Sequence, residues 1–513
     1  MADFKNYQFY NFKGGLDFKN SAPLVEQSEK EVAWADGYNV ELLENGGVIK
    51  MNGTQLFAQM QEEIADEIIG GFQGEQNGNK FIVIVTKGGK FYLYNNGEFI
   101  LKKSGLTAGA KPNYKTYLNG VFVSNGIDEP FIFVPGNNPE ILSTNAQTSG
   151  GHNIRGNAIE IYKGRVWIAD GSTIYYSALG KYNDWTTAND AGSVSNFHND
   201  TSKITALCCF KDMLVIHKED SSFILSGNSP DNFTIQPFSN LGAISPFGIN
   251  IANGRHLFYN KQVYPFVIND LGEITQGSSV SLMIESKLDE FTNSKNNKCM
   301  FLNYRNKSQL WCFLYKSNED YFNTILIYDY INNVWFQRIV PYNISCAWEC
   351  DGIIYSGLDD GRIVKEAVGS SFLGEPVKFM WASPFFHFGY VNKNKTIEAL
   401  SLVFDTNKDN NFNFQVRKDY STYEIFDRAA FSNINSNTLV FCDADGLYGQ
   451  GVLDGDADNE KYGYITLPAQ KVDNYFANIT GANKSVQIQI FGNELHNSLS
   501  LIGIEFQDVY TDA

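Results

Sequence analysis

The stretch that decides the fold spans residues 67–103 and reads EIIGGFQ (67–73), FIVIVT (81–86), KFYLY (90–94) and EFILKK (98–103). Its four segments are short and rich in β-branched and aromatic residues, and QNGN, KGG and NNG separate them. Two-residue hairpin turns need positive φ, which Asn and Gly tolerate, so the segments read as four consecutive antiparallel strands. The middle segments are apolar at nearly every position. A strand with one wet face alternates, whereas one buried on both faces does not, so this sheet is expected to lie between two others.

The unit recurs along the chain. Its turns align at Gly78 (QNGNKFIVIV), Gly120 (YLNGVFVSN), Gly164 (YKGRVWIAD), Asp212 (FKDMLVIHK), Gly254 (ANGRHLFYN), Ser308 (RNKSQLWCFLY) and Gly352 (ECDGIIYSG), at spacings of 42, 44, 48, 42, 54 and 44. A period of about 40–50 residues is that of a four-stranded propeller blade. The second unit shows the same four parts, NYKTYL, VFVSN, FIFV and EILS. The expected fold is all-β: a seven-bladed β-propeller, with six blades as the alternative, followed by a C-terminal β-sandwich.

The seventh unit, ISCAWEC, IIYSG and RIVKEAV, is one strand short. The stretch YNVELLENGGVIKMNG (38–53) is expected to supply the missing strand and close the ring, because an open ring leaves sheet edges exposed. After about Ser370 the period is lost. VKFMWASPFF, TIEALSLVF, NFNFQVRKDY, SVQIQIF and SLIGIEFQDVY alternate more clearly, as strands of an antiparallel sandwich do. The expected organisation is an N-terminal segment, 1–65, partly closing the propeller; the propeller, 66–370; and a sandwich or platform domain, 371–513. The Asn/Asp-rich stretches near 405–412 and 443–460 read as loops on the last of these.

Composition bounds the function classes. Of 513 residues 14% are aromatic and 19% charged, which excludes global disorder. There is no apolar run of about 18 residues, and the opening MADFKNYQFYNFKGG lacks an apolar signal core, so a large soluble protein is expected, exported, if at all, by another route. The net charge of −17 argues against tight, phosphate-driven nucleic-acid binding. The aromatics are expected to fill blade cores, and any excess to serve subunit contacts.

Enzyme constellations are absent from the sequence: no GxSxG, no HExxH and no GxxxxGK[ST]. The cysteines, Cys208, Cys209, Cys299, Cys312, Cys346, Cys350 and Cys442, form no CxxC. Cys346 and Cys350, four apart on a strand, would stand about 13 Å apart, too far to share a metal. All seven are expected to be free thiols in a reducing compartment. Of the six histidines, His152, His198, His217, His256, His387 and His496, only His217 and His256 occupy similar places in neighbouring units, without a third ligand for a metal. Asp454, Asp456 and Asp458 carry the 1-3-5 spacing of a calcium loop, but Asn459 and Ile465 stand where it needs Gly and Glu. Asp405, Asn407 and Asp409 make the same partial pattern. The nearest approach to a sialidase-type turn, YSALGKYNDWTT, lacks the Ser-x-Asp-x-Gly core. No catalytic residue, cofactor or metal is expected beyond the weak Asp454/Asp456/Asp458 candidate.

Two runs, GNAIEIYKGRVWIADGSTIYYSALGKYNDWTT (156–187) and SKITALCCFKDMLVIHKEDSSFILSGNSPDNFTIQPFSNLGAISPFGI (202–249), carry a resemblance. The first presents Gly164, Arg165, Trp167, Ala169, Gly171, Tyr176, Ser177, Leu179, Gly180, Asp184, Trp185 and Thr186; the second presents Lys211, Asp212, Leu214, Lys218, Ser222, Leu225, Ser226 and Gly227. Together they resemble the tail nozzle, tail-hub and packaged-DNA-stabilisation proteins of short-tailed bacteriophages. The opening FKGGLDFKNSAPLVEQSEKEVAWADGYNVELLENGGVIK and the closing KSVQIQIFGNELHNSLSLIGIEFQDVY are similar to the corresponding parts of that family.

The resemblance implies a structural virion component rather than an enzyme. It implies a homo-oligomeric ring, usually a hexamer, below the portal and its adaptor proteins, with tail fibres or spikes on its outer face. Double-stranded DNA would be retained by the ring and conducted through it without sequence-specific binding, and there would be no stable membrane insertion. The expected location is the virion tail, after synthesis in the host cytoplasm. Two alternatives stay open at this point: a propeller glycosidase acting on surface polysaccharide, and a receptor- or carbohydrate-binding tail module.

Overall fold

A computed structural model describes residues 5–19, 31–76, 79–136, 138–195, 197–198, 200–404, 410–419, 425–433, 438–443, 464–466, 471–474 and 479–511. Six four-strand antiparallel units follow one another, and a seventh sheet carries the short strands Ser371–Phe372 and Glu375–Pro376 beyond its first four. The first consists of Ile68–Gln76, Asn79–Thr86, Phe91–Asn95 and Glu98–Lys103 (blade one). Blades two to six span 113–143, 158–194, 204–239, 249–276 and 300–339. The first strand of each blade packs against the first strand of the next, and Ile344–Cys350 of blade seven packs back on Ile68–Gln76, so the circle is closed. The chain is a seven-bladed propeller.

The repeating turn lies between the first and second strands of the blades. Both central residues have positive φ at Lys163–Gly164, Lys211–Asp212, Asn253–Gly254 and Asp351–Gly352, the geometry that matches strand twist in a tight hairpin. In blade two the turn is Leu118–Asn119, and Gly120 opens the next strand. Gly78 lies outside the described residues.

Alternation explains why the middle strands are apolar throughout. In Arg165–Asp170, Val166 and Ile168 join a cluster with Phe122 of blade two, while Trp167 and Ala169 join one with Leu214 and Ile216 of blade four. Val215 turns the other way, towards Phe258 and Phe266 of blade five. Successive side chains point to opposite sheet faces, and here each face meets a different blade. The outer strand Glu98–Lys103 has no fully buried residue.

Blade seven takes its outer strand from the N-terminal part of the chain. Thr54–Gln59 pairs antiparallel with Arg362–Glu366. The stretch 38–53, expected to fill this place, ends just before it. Its Val40–Leu42 and Val48–Lys50 form a hairpin whose second strand pairs with Ser500–Thr511.

Two further sheets form the sandwich. In one, Ser500–Thr511 lies between Lys395–Phe404 and the N-terminal strands Lys5–Phe9 and Val48–Lys50. In the other, the order runs from Asp36–Tyr38 through Phe379–Ala382, Val486–Gly492 and Asn410–Lys418 to Ile425–Asn433, Thr438–Asp443 and Tyr464–Thr466. Phe9, Phe386 and Phe506 meet between the sheets, with ring centroids 4.6–6.2 Å apart. Residues 410–412, expected in a loop, begin a strand; the rest of both loop stretches lies outside the described residues, except that Asp443 ends a strand. No helix among the described residues is long and apolar enough to cross a membrane.

The N-terminal part also ties the sandwich to the propeller. Asn39 donates through Nδ2 to the carbonyls of Ile339 (2.9 Å) and Lys378 (2.7 Å). Arg338, fully buried in blade six, donates to the carbonyls of Asn52 and Gly53 and to Glu366 of blade seven at 2.9 Å. Thr54 and Tyr342 hydroxyls complete the shell around that carboxylate. The ion pair therefore sits where the closing strand enters the last blade.

Candidate functional site: the axial cavity

The first strands of all seven blades enclose a cavity of about 360 Å³ on the propeller axis. Glycines shape its wall. A Cβ on Gly71 would lie 2.2 Å from the Trp348 ring, and one on Gly70 would lie 2.3 Å from Pro112 and 2.9 Å from the Tyr114 hydroxyl. With no side chain there, blade one lets blades two and seven approach the axis. A second cavity, of about 570 Å³, opens at the ends where the first strands begin; it is lined by Lys203, Glu219 and Lys298 among others, and shares Pro246 with the first.

Two lysines of blade two reach the axial cavity and differ in their partners. Lys115 donates to Glu160 of blade three at 2.8 Å, and Glu160 also accepts from the Cys209 amide of blade four. Burial alone would pull the Lys115 ammonium down, but Glu160 more than reverses this and its pKa is raised. Lys111 is 8% exposed and has no ion-pair partner among the described residues. Its ammonium donates to the Lys298 carbonyl at 3.2 Å and lies 5.0 Å and 5.3 Å from the Phe247 and Phe322 ring centroids. Burial brings it down to about 8. The hydroxyl of Tyr114, also on the cavity wall, is buried with no hydrogen-bond partner.

His217 and His256 are brought together: their Nε2 atoms are 2.7 Å apart in the blade four–blade five interface, both rings fully buried. One Nε2–H must donate and the other Nε2 accept, so a second proton would set two donors face to face. Burial lowers both pKa values, that of His256 to about 3. No group of three metal-ligating side chains occurs among the described residues. His152 pairs with Asp170 at 3.0 Å on the surface, His198 stacks on Phe223, and His387 and His496 stand apart from them. Six of the cysteines are free thiols, with burial raising Cys299 and Cys346 to about 12. Asp454, Asp456 and Asp458, like Asp405, Asn407 and Asp409, lie outside the described residues.

The residues carrying the phage-tail resemblance build blades three and four. Arg165 donates to the Ser177 and Asp190 carbonyls and pairs with the Asp190 carboxylate at 2.6 Å. The Trp167 indole donates to the Tyr162 carbonyl at 3.0 Å, and that of Trp185 to Thr144 at 3.0 Å. Asp184 accepts from the Thr186 and Thr187 amides. Lys163 of blade three reaches Asp212 of blade four at 2.6 Å, and the Tyr162 hydroxyl donates to the Gly227 carbonyl at 3.0 Å. Leu179 is 57% exposed.

Lys111 and Tyr114 are absent from the sequence-based candidates. A lysine in AKPNYK gives no sign of burial; only closure of the ring around it does.

No family model matches the chain, and no curated protein does. Among solved structures, the computationally designed Ika8 protein is 13% identical, over 61% of this chain and 99% of its own, with a TM-score of 0.36. The WD40 β-propeller domain of Doa1 is 11% identical, over 61% of this chain and 96% of its own, at 0.39. The extracellular domain of a protein described as a one-component system, BT4673 from B. thetaiotaomicron, is 10% identical at a TM-score of 0.39. That match covers 80% of this chain and 47% of the other.

Proposed function

We propose that this chain is a ring-forming structural component of a short-tailed bacteriophage tail, a nozzle or hub that retains packaged DNA and lets it pass during ejection. The supporting observation is the role of the resembling runs. Their side chains work as turn locks and inter-blade fasteners in blades three and four rather than as a reacting cluster. The axial cavity has the volume of a small-molecule site, so in this reading DNA travels through the centre of the assembled ring and not along a propeller axis. A net charge of −17 suits a conduit, because each Lys–phosphate contact would act as an electrostatic trap.

Partners follow from the same reading: further copies of the chain, portal-adaptor proteins above, and fibres or spikes outside. Glycosidase chemistry, the rival, needs two carboxyls about 5–10 Å apart over a cleft. Among the described residues lining the axial cavity Glu349 is the carboxylate, beside Lys111, Lys115 and Arg305. The mass of the purified native assembly tests the proposal. A discrete sixfold species is expected; a strict monomer at high concentration would overturn it.

A further inference from the structure

We infer that the axial cavity is a binding site for a small organic anion, a carboxylate or phosphate monoester, held by Lys111 and Tyr114. Three observations converge. Lys111 is a buried cation with no carboxylate partner among the described residues, whereas Lys115, four residues further on, has Glu160. A lone buried charge is costly unless something compensates it, and one backbone carbonyl with two ring faces leaves donor capacity on the ammonium. The Tyr114 hydroxyl is a second buried donor without a partner, in the same wall. Native structures rarely leave such groups unmet, and an oxyanion answers both.

The cavity sets the rest of the ligand. Ile159, Leu207, Met300 and Phe301 line it from blades three, four and six, so one charged head with a compact apolar body fits better than a polyanion. Its volume of about 360 Å³ is at the small end of known ligand pockets. Gly70 lets this wall close up: a Cβ there would meet Pro112 at 2.3 Å and the Tyr114 hydroxyl at 2.9 Å.

Thermal melting and calorimetric titration of the full-length chain provide the test, at constant ionic strength, with hexanoate, benzoate, phenyl phosphate, inorganic phosphate and chloride as probes. The carboxylate and phosphate arms separate the two head groups. A saturable rise in melting temperature with one arm and not with chloride is expected. Lys111→Met should weaken binding on the order of a hundredfold, and Tyr114→Phe about tenfold. Unliganded Lys111→Met should melt no lower than the wild type, since it removes an uncompensated charge. Tyr114→Phe removes a single oxygen and stays informative if Lys111→Met does not fold. Absence of any saturable anion effect, or an effect that survives both substitutions, would overturn the inference.

Discussion

At the scale of single residues, the buried pairs of this chain matter through what happens when one member is removed. Arg338 and Glu366 are both fully buried and 2.9 Å apart. Replacing Arg338 with Met leaves the carboxylate without its cation, and a loss of about 3–5 kcal/mol in urea unfolding is expected. The double variant Arg338→Met/Glu366→Leu should lose less than the two single changes summed, because each removes the other's stranded charge. His217 and His256 act through protons. Their unfolded value is near 6.5 and burial lowers both in the folded state, His256 to about 3. Between those limits the unfolded chain binds protons that the folded one does not. The contribution of these two rings to stability is therefore full above pH 6.5 and falls on acidification, by up to about 1.4 kcal/mol per pH unit for each ring. His256→Phe should flatten the dependence between pH 6.5 and 4; urea midpoints that fall as steeply as in the wild type would refute this.

At the scale of elements, the closing strand carries the strongest expectation. Thr54–Gln59 gives blade seven its outer strand, and Asn52, Gly53 and Thr54 hold Arg338. A chain lacking residues 1–60 should lose cooperative unfolding of the propeller, read by circular dichroism on heating; a stably folded truncated ring would contradict the closure. The seven units could be read from sequence because tight hairpins restrict residue choice. Lys163–Gly164, Asn253–Gly254 and Asp351–Gly352 place Gly second in a turn with two positive φ values. The shortage in blade seven was equally visible, since only three strand-like segments lie between Ile344 and Ser370. Its filler was misplaced by a few residues for a physical reason. In Thr54–Gln59 exposed Leu56 breaks the apolar pattern, while 38–53 contains an Asn-Gly-Gly turn and reads as the better hairpin. It is a hairpin, but it extends the sandwich. The axial site was not legible, because what distinguishes Lys111 from an ordinary lysine is the set of blades around it.

At the scale of the whole molecule, the outer surface exposes large apolar side chains on neighbouring blades. Leu56 on the outer strand of blade seven, and Ile100 and Leu101 on that of neighbouring blade one, are 46%, 38% and 50% exposed. Exposed apolar side chains on the outer parts of adjacent blades suit burial against another copy of the chain. Under the ring reading, Leu101→Glu should shift the native assembly towards monomer in light scattering while leaving the melting temperature of the monomer within about 1–2 °C of the parent. An unchanged assembly would move the subunit contact elsewhere on the surface.

The route of the N-terminal part also governs how the molecule is born. Thr54–Gln59 leaves the ribosome early, yet its hydrogen-bonding partner Arg362–Glu366 is translated some 300 residues later. At about 5–20 residues per second, that is a wait of roughly 15–60 s. Six blades can collapse in order during that interval, but the wheel cannot lock until its seventh spoke emerges. Maturation of this protein is thus timed by synthesis, and the unclaimed strand is the part a chaperone would have reason to guard.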